Sequence, residues 1–146
     1  MSLDYSLAIT GSAPREALAA KLCGVPHYRR TAEGLSAPGL VVRISAPRTM
    51  QTKLIDEELG FKPTADISFR VEKKVDPAVV HRHLLQGCMA LLDGGTGDAV
   101  LLFNSETIIL LRRNGELVLN PVEGFWTDEV RAIIPTPHKF EKMRTL

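Results

Sequence analysis

Residues 98–120 read DAVLLFNSETIILLRRNGELVLN, and this stretch decides the fold. Three short apolar runs follow one another, and Asn114-Gly115 separates the second run from the third. Asn-Gly between alternating apolar residues is the strongest local signal for a two-residue β-hairpin turn. We therefore predict strands over 98–103, 106–112 and 116–120, with the last two paired antiparallel.

The first two of these strands are apolar on both faces. In the first strand, for example, Leu101 alternates with Val100 and Leu102. A strand of this composition is buried on both sides of its sheet, so the second face needs a cover. The sequence leaves three covers open: a helix predicted over 127–133 with the tail that follows it, a second copy of the chain, or a partner.

The rest of the chain adds strands that have one apolar and one polar face. Alternation with a period of two residues predicts them over 3–10, 39–46 and 64–73, which brings the sheet to about six strands. The segment 25–38 is rich in proline, glycine and charge, and is predicted as a connection with room for a short strand around 27–31.

The longest helix is predicted over 77–93, because Asp76 can cap it and Pro77 suits its first turn. Apolar residues at helical spacing form a stripe that faces the sheet. His81 falls inside this stripe. Its imidazole therefore either makes a buried hydrogen bond or marks a polar site under the helix.

Two shorter helices complete the prediction. One is expected over 13–23, with Ser12 as its cap and Gly24 as its left-handed end, and the other over 127–133. The segment 47–60 fits a short helix or a loop. These elements predict an α+β fold: a mainly antiparallel sheet of about six strands with one long and two shorter helices.

Composition and length favour a single domain over residues 1–146. The 146 residues include 45% hydrophobic ones and carry a net charge of +1, so no basic surface calls for nucleic acid. No apolar run has the length of a signal or a membrane span. Cys23 and Cys88 lie on different predicted helices and fit reduced thiols. We expect a cytoplasmic protein that binds neither nucleic acid nor a membrane.

The sequence contains no catalytic signature. His81, His83 and Cys88 do not share one helix face at one height, so no metal site is predicted. No serine or cysteine has the local spacing of an activated nucleophile. We therefore predict no catalytic residues, no metal and no cofactor. One alternative stays open, a small enzyme with His81 or His138 as general base.

Two groups of residues are candidates for contact with another protein. Asp56, Glu57 and Glu58 form the one compact acidic run and lie close to Phe61; such an edge can steer a basic partner before apolar contacts hold it. Phe125 and Trp126 are adjacent aromatic residues that anchor either the core or an interface. Arg112 and Arg113 are interpreted as an exposed hairpin tip.

Several segments in order resemble one known family. They are LDYSL at 3–7, LGFKPT at 59–64, ISFR at 67–70, DAVLLF at 98–103, ILLRRNGEL at 109–117, and Trp126. This order resembles the Sit-type (swarming-inhibition) immunity proteins of bacterial polymorphic toxin systems. The resemblance covers nearly the whole chain, although residues 25–50 match nothing in it.

The resemblance implies a small cytoplasmic antidote that binds and neutralises a cognate protein toxin in the producing bacterium. Such a protein needs no catalytic residues, and the family brings no transferable active site. We therefore predict that the contacts come from Asp56, Glu57, Glu58, Phe61, Phe125 and Trp126, and that they occlude the toxin's active site. The free chain is expected to be a monomer or a homodimer. A homodimeric scaffold that buries the second sheet face against itself is the remaining alternative.

Overall fold

A computed structural model describes residues 3–72, 74–95 and 97–146. It contains four helices and nine strands among these residues. In chain order they are β1 (Leu3–Ile9), α1 (Arg15–Cys23), β2 (Arg29–Thr31), β3 (Gly34–Ala37), β4 (Leu40–Ser45), α2 (Thr49–Leu59), β5 (Ala65–Val71), α3 (Pro77–Leu92), β6 (Ala99–Phe103), β7 (Thr107–Arg113), β8 (Glu116–Leu119), α4 (Asp128–Arg131) and β9 (Lys139–Phe140).

All described strands belong to one sheet with the order β2-β3-β4-β5-β1-β6-β7-β8-β9. Every pairing is antiparallel except that of β8 with β9, which is parallel. The predicted hairpin of β7 and β8 is confirmed: Asn114 and Gly115 have φ values of 55° and 78°, as its turn requires. The mixed helix and sheet architecture is confirmed too.

The predicted number of strands and helices was too low. The sheet has nine strands, not about six, because 25–38 forms the hairpin of β2 and β3 and the tail adds β9. These strands have two to four residues, too few to show a clear alternation. The segment 47–60 contains the helix α2, which is followed by the C-cap Gly60 with a left-handed φ of 83°.

Three helices pack on the first face of the sheet. Buried side chains of α1, α3 and α4 join those of the strands in the larger of two hydrophobic clusters. Asp76 caps α3 as predicted and accepts a hydrogen bond from the Ala78 N–H. Helix α1 ends at Cys23 as predicted, but its predicted caps were wrong: Pro14 is its N-cap without a side-chain bond, and Gly24 is right-handed.

The apolar half of the second face is covered by the chain itself. Ala8, Val100, Leu102, Ile108 and Leu111 form a separate cluster there with Ile55, Leu59 and Phe61, and Met143 and Leu146 pack against it. The cover is therefore α2 together with the C-terminal tail. Of the covers that the sequence left open, the tail is present but α4 is not part of it, because Val130 of α4 belongs to the cluster on the first face.

Arg112 and Arg113 form hydrogen bonds from the β7–β8 hairpin to α3 and α2, which lie on opposite faces of the sheet. Arg112 donates to the carbonyls of Leu92, the last residue of α3, at 2.9 Å and of Gly97 at 2.7 Å. Arg113 donates to the carbonyl of Leu59, the last residue of α2, at 3.0 Å. Cations suit the negative end of a helix dipole, and successive residues of a strand point to opposite faces. The interpretation as an exposed hairpin tip holds for Arg113, whereas Arg112 is half-buried.

Candidate functional site

The candidate site is a groove of about 480 Å³ on the second face of the sheet. It lies between the end of α2 and the C-terminal tail, over β7 and β8. Seven charged side chains line it, among them Glu58 and Lys142, whereas the strand residues Ile108, Leu111 and Val118 beneath them are at most 7% exposed. Charged side chains of both signs therefore dominate the groove, and such a surface suits electrostatic recognition of another protein.

Asn120 holds the C-terminal tail in place, and the tail forms one wall of the groove. This side chain is only 6% exposed, and its amide group donates to the carbonyls of Ile108 at 2.6 Å and of Met143 at 3.3 Å. Its amide oxygen accepts from the Met143 N–H at 3.1 Å. Farther along, the Leu146 N–H donates to the Glu106 carbonyl. The tail is therefore held by specific bonds as well as by apolar packing.

The acidic run lies on the last turns of α2, at the edge of this groove. Glu57 and Glu58 are exposed and Asp56 is half-buried. Glu58 lies 3.9 Å from Arg144 of the tail, and Glu57 forms no ion pair within the described chain. Carboxylates near the C-terminal end of a helix oppose its dipole, so this placement costs stability.

The two predicted phenylalanines are core residues. Phe61 is 5% exposed and packs under α2 on the second face, whereas Phe125 is 3% exposed and belongs to the cluster on the first face. The structure therefore does not bring the six candidate residues together as one patch. A single sequence shows that an aromatic residue is present but not whether its ring is covered by a distant segment.

Trp126 is half-buried and belongs to an aromatic group at the β9 edge of the sheet. Its indole N–H donates to the Asn120 carbonyl at 2.7 Å, and its ring lies edge-on to Phe140 at 6.0 Å. Phe140 is 39% exposed, with the Arg131 guanidinium 5.2 Å from its ring centre. The sequence gives no signal for Phe140, because its two-residue strand is too short to show a periodic pattern.

The histidines considered for an enzyme do not form a catalytic pair. The His81 Nε2 and the Tyr5 hydroxyl share a hydrogen bond of 3.3 Å, and the His81 ring packs on Phe125 at 4.3 Å. His138 Nδ1 bonds to the Pro135 carbonyl at 2.9 Å. Within the described residues neither imidazole is bonded to a carboxylate, and no group of three His, Cys, Asp or Glu side chains could hold a metal ion.

The stability of the fold should depend on the protonation of His81. Burial lowers the pKa of His81 below its usual value near 6.5. The unfolded chain therefore takes up this proton first as the pH falls, so the contribution of His81 is complete above about pH 6.5 and decreases below it. We expect the free energy of unfolding to fall more between pH 7.5 and 5.5 in the wild type than in His81→Gln. Urea titrations at both values test this, and equal falls in the two proteins would contradict it.

The comparisons with known proteins support one family. The family model described as SitI3-like matches residues 3–130, which include every strand except β9. No curated protein and no solved structure matches the chain. None of the helices in the described ranges has the length and apolar character needed to cross a membrane. The family match covers far more than half of the sequence, and the chain therefore belongs to the SitI3-like family.

Proposed function

We propose that this protein is a non-enzymatic immunity protein that binds a cognate toxin domain in the producing bacterium and neutralises it. The observation that carries the proposal is the SitI3-like match over residues 3–130, because membership of this family suggests an immunity protein. The chain would act as one domain over residues 1–146, in the cytoplasm where the toxin is made.

The proposed contact surface is the acidic end of α2 together with the neighbouring groove. Glu57 and Glu58 are exposed there, and the half-buried Met143 and Leu146 of the tail line the groove beside them. Acidic side chains that oppose the helix dipole are costly to the fold, and such costs are typical of residues kept for binding. A basic patch around the toxin's active site would be attracted to this edge and then covered by it.

Reversing the acidic charge should weaken the complex. We expect Glu57→Lys with Glu58→Lys to reduce affinity for the toxin domain encoded by the adjacent gene by about 100-fold, mainly through slower association at low salt. The control is Glu123→Lys, which changes an exposed acid without an ion pair in the described chain. Glu123→Lys should alter affinity for the toxin less than about twofold, since an exposed charge outside the contact surface contributes little. Surface plasmon resonance at two salt concentrations measures both.

The same experiment tests the proposed function and the proposed contact surface separately. Failure of the wild-type protein to bind the toxin domain at micromolar concentration would overturn the proposed function. Tight binding that the acidic variant leaves unchanged would overturn only the placement at α2. In that case the Trp126 and Phe140 edge is the next surface to mutate, because Trp and Arg are enriched in binding hot spots.

A further inference from the structure

A second, smaller pocket lies far along the sheet from the groove, at the opposite edge. It has a volume of about 260 Å³ and is lined by His27, Arg29, Ser36, Ala37 and Pro38. The strands that form it, β2 and β3, are the outermost pair of the sheet. The pocket is therefore open to solvent at the edge, and neither the family match nor the acidic surface of α2 assigns a role to it.

Arg29 differs from the other arginines on this half of the sheet. In the described part of the chain, strands β2 to β5 carry three arginines that form ion pairs: Arg30 with Glu16, Arg43 with Glu33, and Arg70 with Asp4. Arg29 is exposed and makes no ion pair within the described residues. Its guanidinium therefore keeps its hydrogen-bonding capacity for a group from outside.

The strand register places one further donor beside Arg29. The register places Ser36 directly across from Arg29, so the two side chains lie on the same face of the hairpin. Arg30 is the next residue along the strand and points to the other face, toward Glu16 of α1. His27 has a left-handed φ of 74°, and its ring lies edge-on to His83 at 5.4 Å. A left-handed histidine is uncommon, and His27 is one of the residues that line the pocket.

The pocket has the chemistry of an anion site. The polar residues that line it are Arg29, Ser36 and His27, whose side chains can donate hydrogen bonds, and no acidic residue is among them. The planar guanidinium fork matches two oxygens of a carboxylate or a phosphate. We infer that the pocket formed by His27, Arg29 and Ser36 binds an oxyanion, either a carboxylate or a phosphate group. This inference is independent of the proposed toxin binding.

Nuclear magnetic resonance titration tests the inference on the full chain. Sodium phosphate and sodium acetate are added separately at constant ionic strength, with sodium chloride as the control. We expect saturable amide shifts confined to residues 27–38 with phosphate, acetate or both, and none with chloride. Saturation by phosphate alone supports a phosphate site, and saturation by acetate supports recognition of an acidic side chain. Equal shifts with chloride, or no saturation with either anion, would overturn the inference.

Two variants connect the response to the pocket. Arg29→Ala should weaken anion binding by about tenfold or more, whereas Arg30→Ala, the adjacent arginine on the opposite face, should change it less than about twofold. His27→Gly is a second variant that suits the left-handed backbone and removes only the imidazole. It should fold and bind the anion more weakly. Wild-type affinity in a folded Arg29→Ala protein would overturn the assignment.

Discussion

Gly39→Ala is expected to lower the free energy of unfolding by about 3 kcal/mol, because it combines backbone strain with overpacking. Gly39 follows Pro38 in the turn between β3 and β4 and has a left-handed φ of 79°. A Cβ at this position would lie 2.7 Å from Cγ2 of Val80 and 3.1 Å from Cβ of Val75. Val80 is a buried residue of α3, so the methyl group would push the turn away from the helix.

Gly115→Ala is the matched control for this substitution. Gly115 lies in the turn between β7 and β8 with nearly the same φ, 78°, but a Cβ there would meet no atom within 4 Å. Gly115→Ala should therefore lower the free energy of unfolding only through the strain of a left-handed alanine, by about 1 kcal/mol. Urea denaturation followed by circular dichroism gives both values, and the difference reports the crowding against α3. Equal losses in the two variants would contradict close packing of the turn on the helix.

The sequence predicts best where a pattern is long and local. Strand β5 alternates over seven residues, and its inward residues Ile67 and Phe69 are fully buried. Helix α3 has its cap, its first-turn proline and its apolar stripe within a few turns of each other. The hairpin of β7 and β8 depends on a two-residue turn whose chemistry is specific. Each of these elements is determined by neighbours in the chain, so the prediction succeeded.

The sequence predicts poorly where distant segments decide the structure. The doubly apolar strands indicated that a cover exists, but only the structure shows that α2 and the tail provide it. Gly34–Ala37 forms a strand because it pairs with both β2 and β4, not because its own residues alternate strongly. Likewise, Phe61 and Phe125 look alike in the sequence as candidate anchors, and burial by other segments places both in the core.

The candidate site also combines one feature that the sequence shows with others that only the structure shows. The acidic run is visible in the sequence, and its exposure at the end of α2 agrees with the interpretation of a charged surface. The groove beside it depends on the tail, which lies more than 80 residues from α2 along the chain. The sequence does not indicate the Arg29 pocket, because the pocket is distinguished by a missing contact. Within the described residues the neighbouring arginines form ion pairs, whereas Arg29 forms none. A sequence carries no signal for that difference.

Asn120→Ala is expected to lower the free energy of unfolding by about 3 kcal/mol and to release the tail. The substitution removes three side-chain hydrogen bonds, and it leaves the Ile108 carbonyl without its amide donor. Unpaired polar groups in a buried site cost more than the lost bonds alone. Because the tail forms one wall of the groove, its release should also change the proposed contact surface. Urea denaturation measures the stability.

Amide hydrogen exchange distinguishes release of the tail from general loosening. We expect protection to fall first at Met143, whose N–H is bonded to Asn120, and at Leu146, whose N–H is bonded to Glu106. The amides of β7 should stay protected until global unfolding, because their strand partners are unchanged. Asn104→Gly removes a single bond to the Asp4 N–H and should leave the tail protected. Uniform loss of protection across the sheet in Asn120→Ala would mean that Asn120 stabilises the whole core, and that the tail's hold on the groove does not depend on this one side chain.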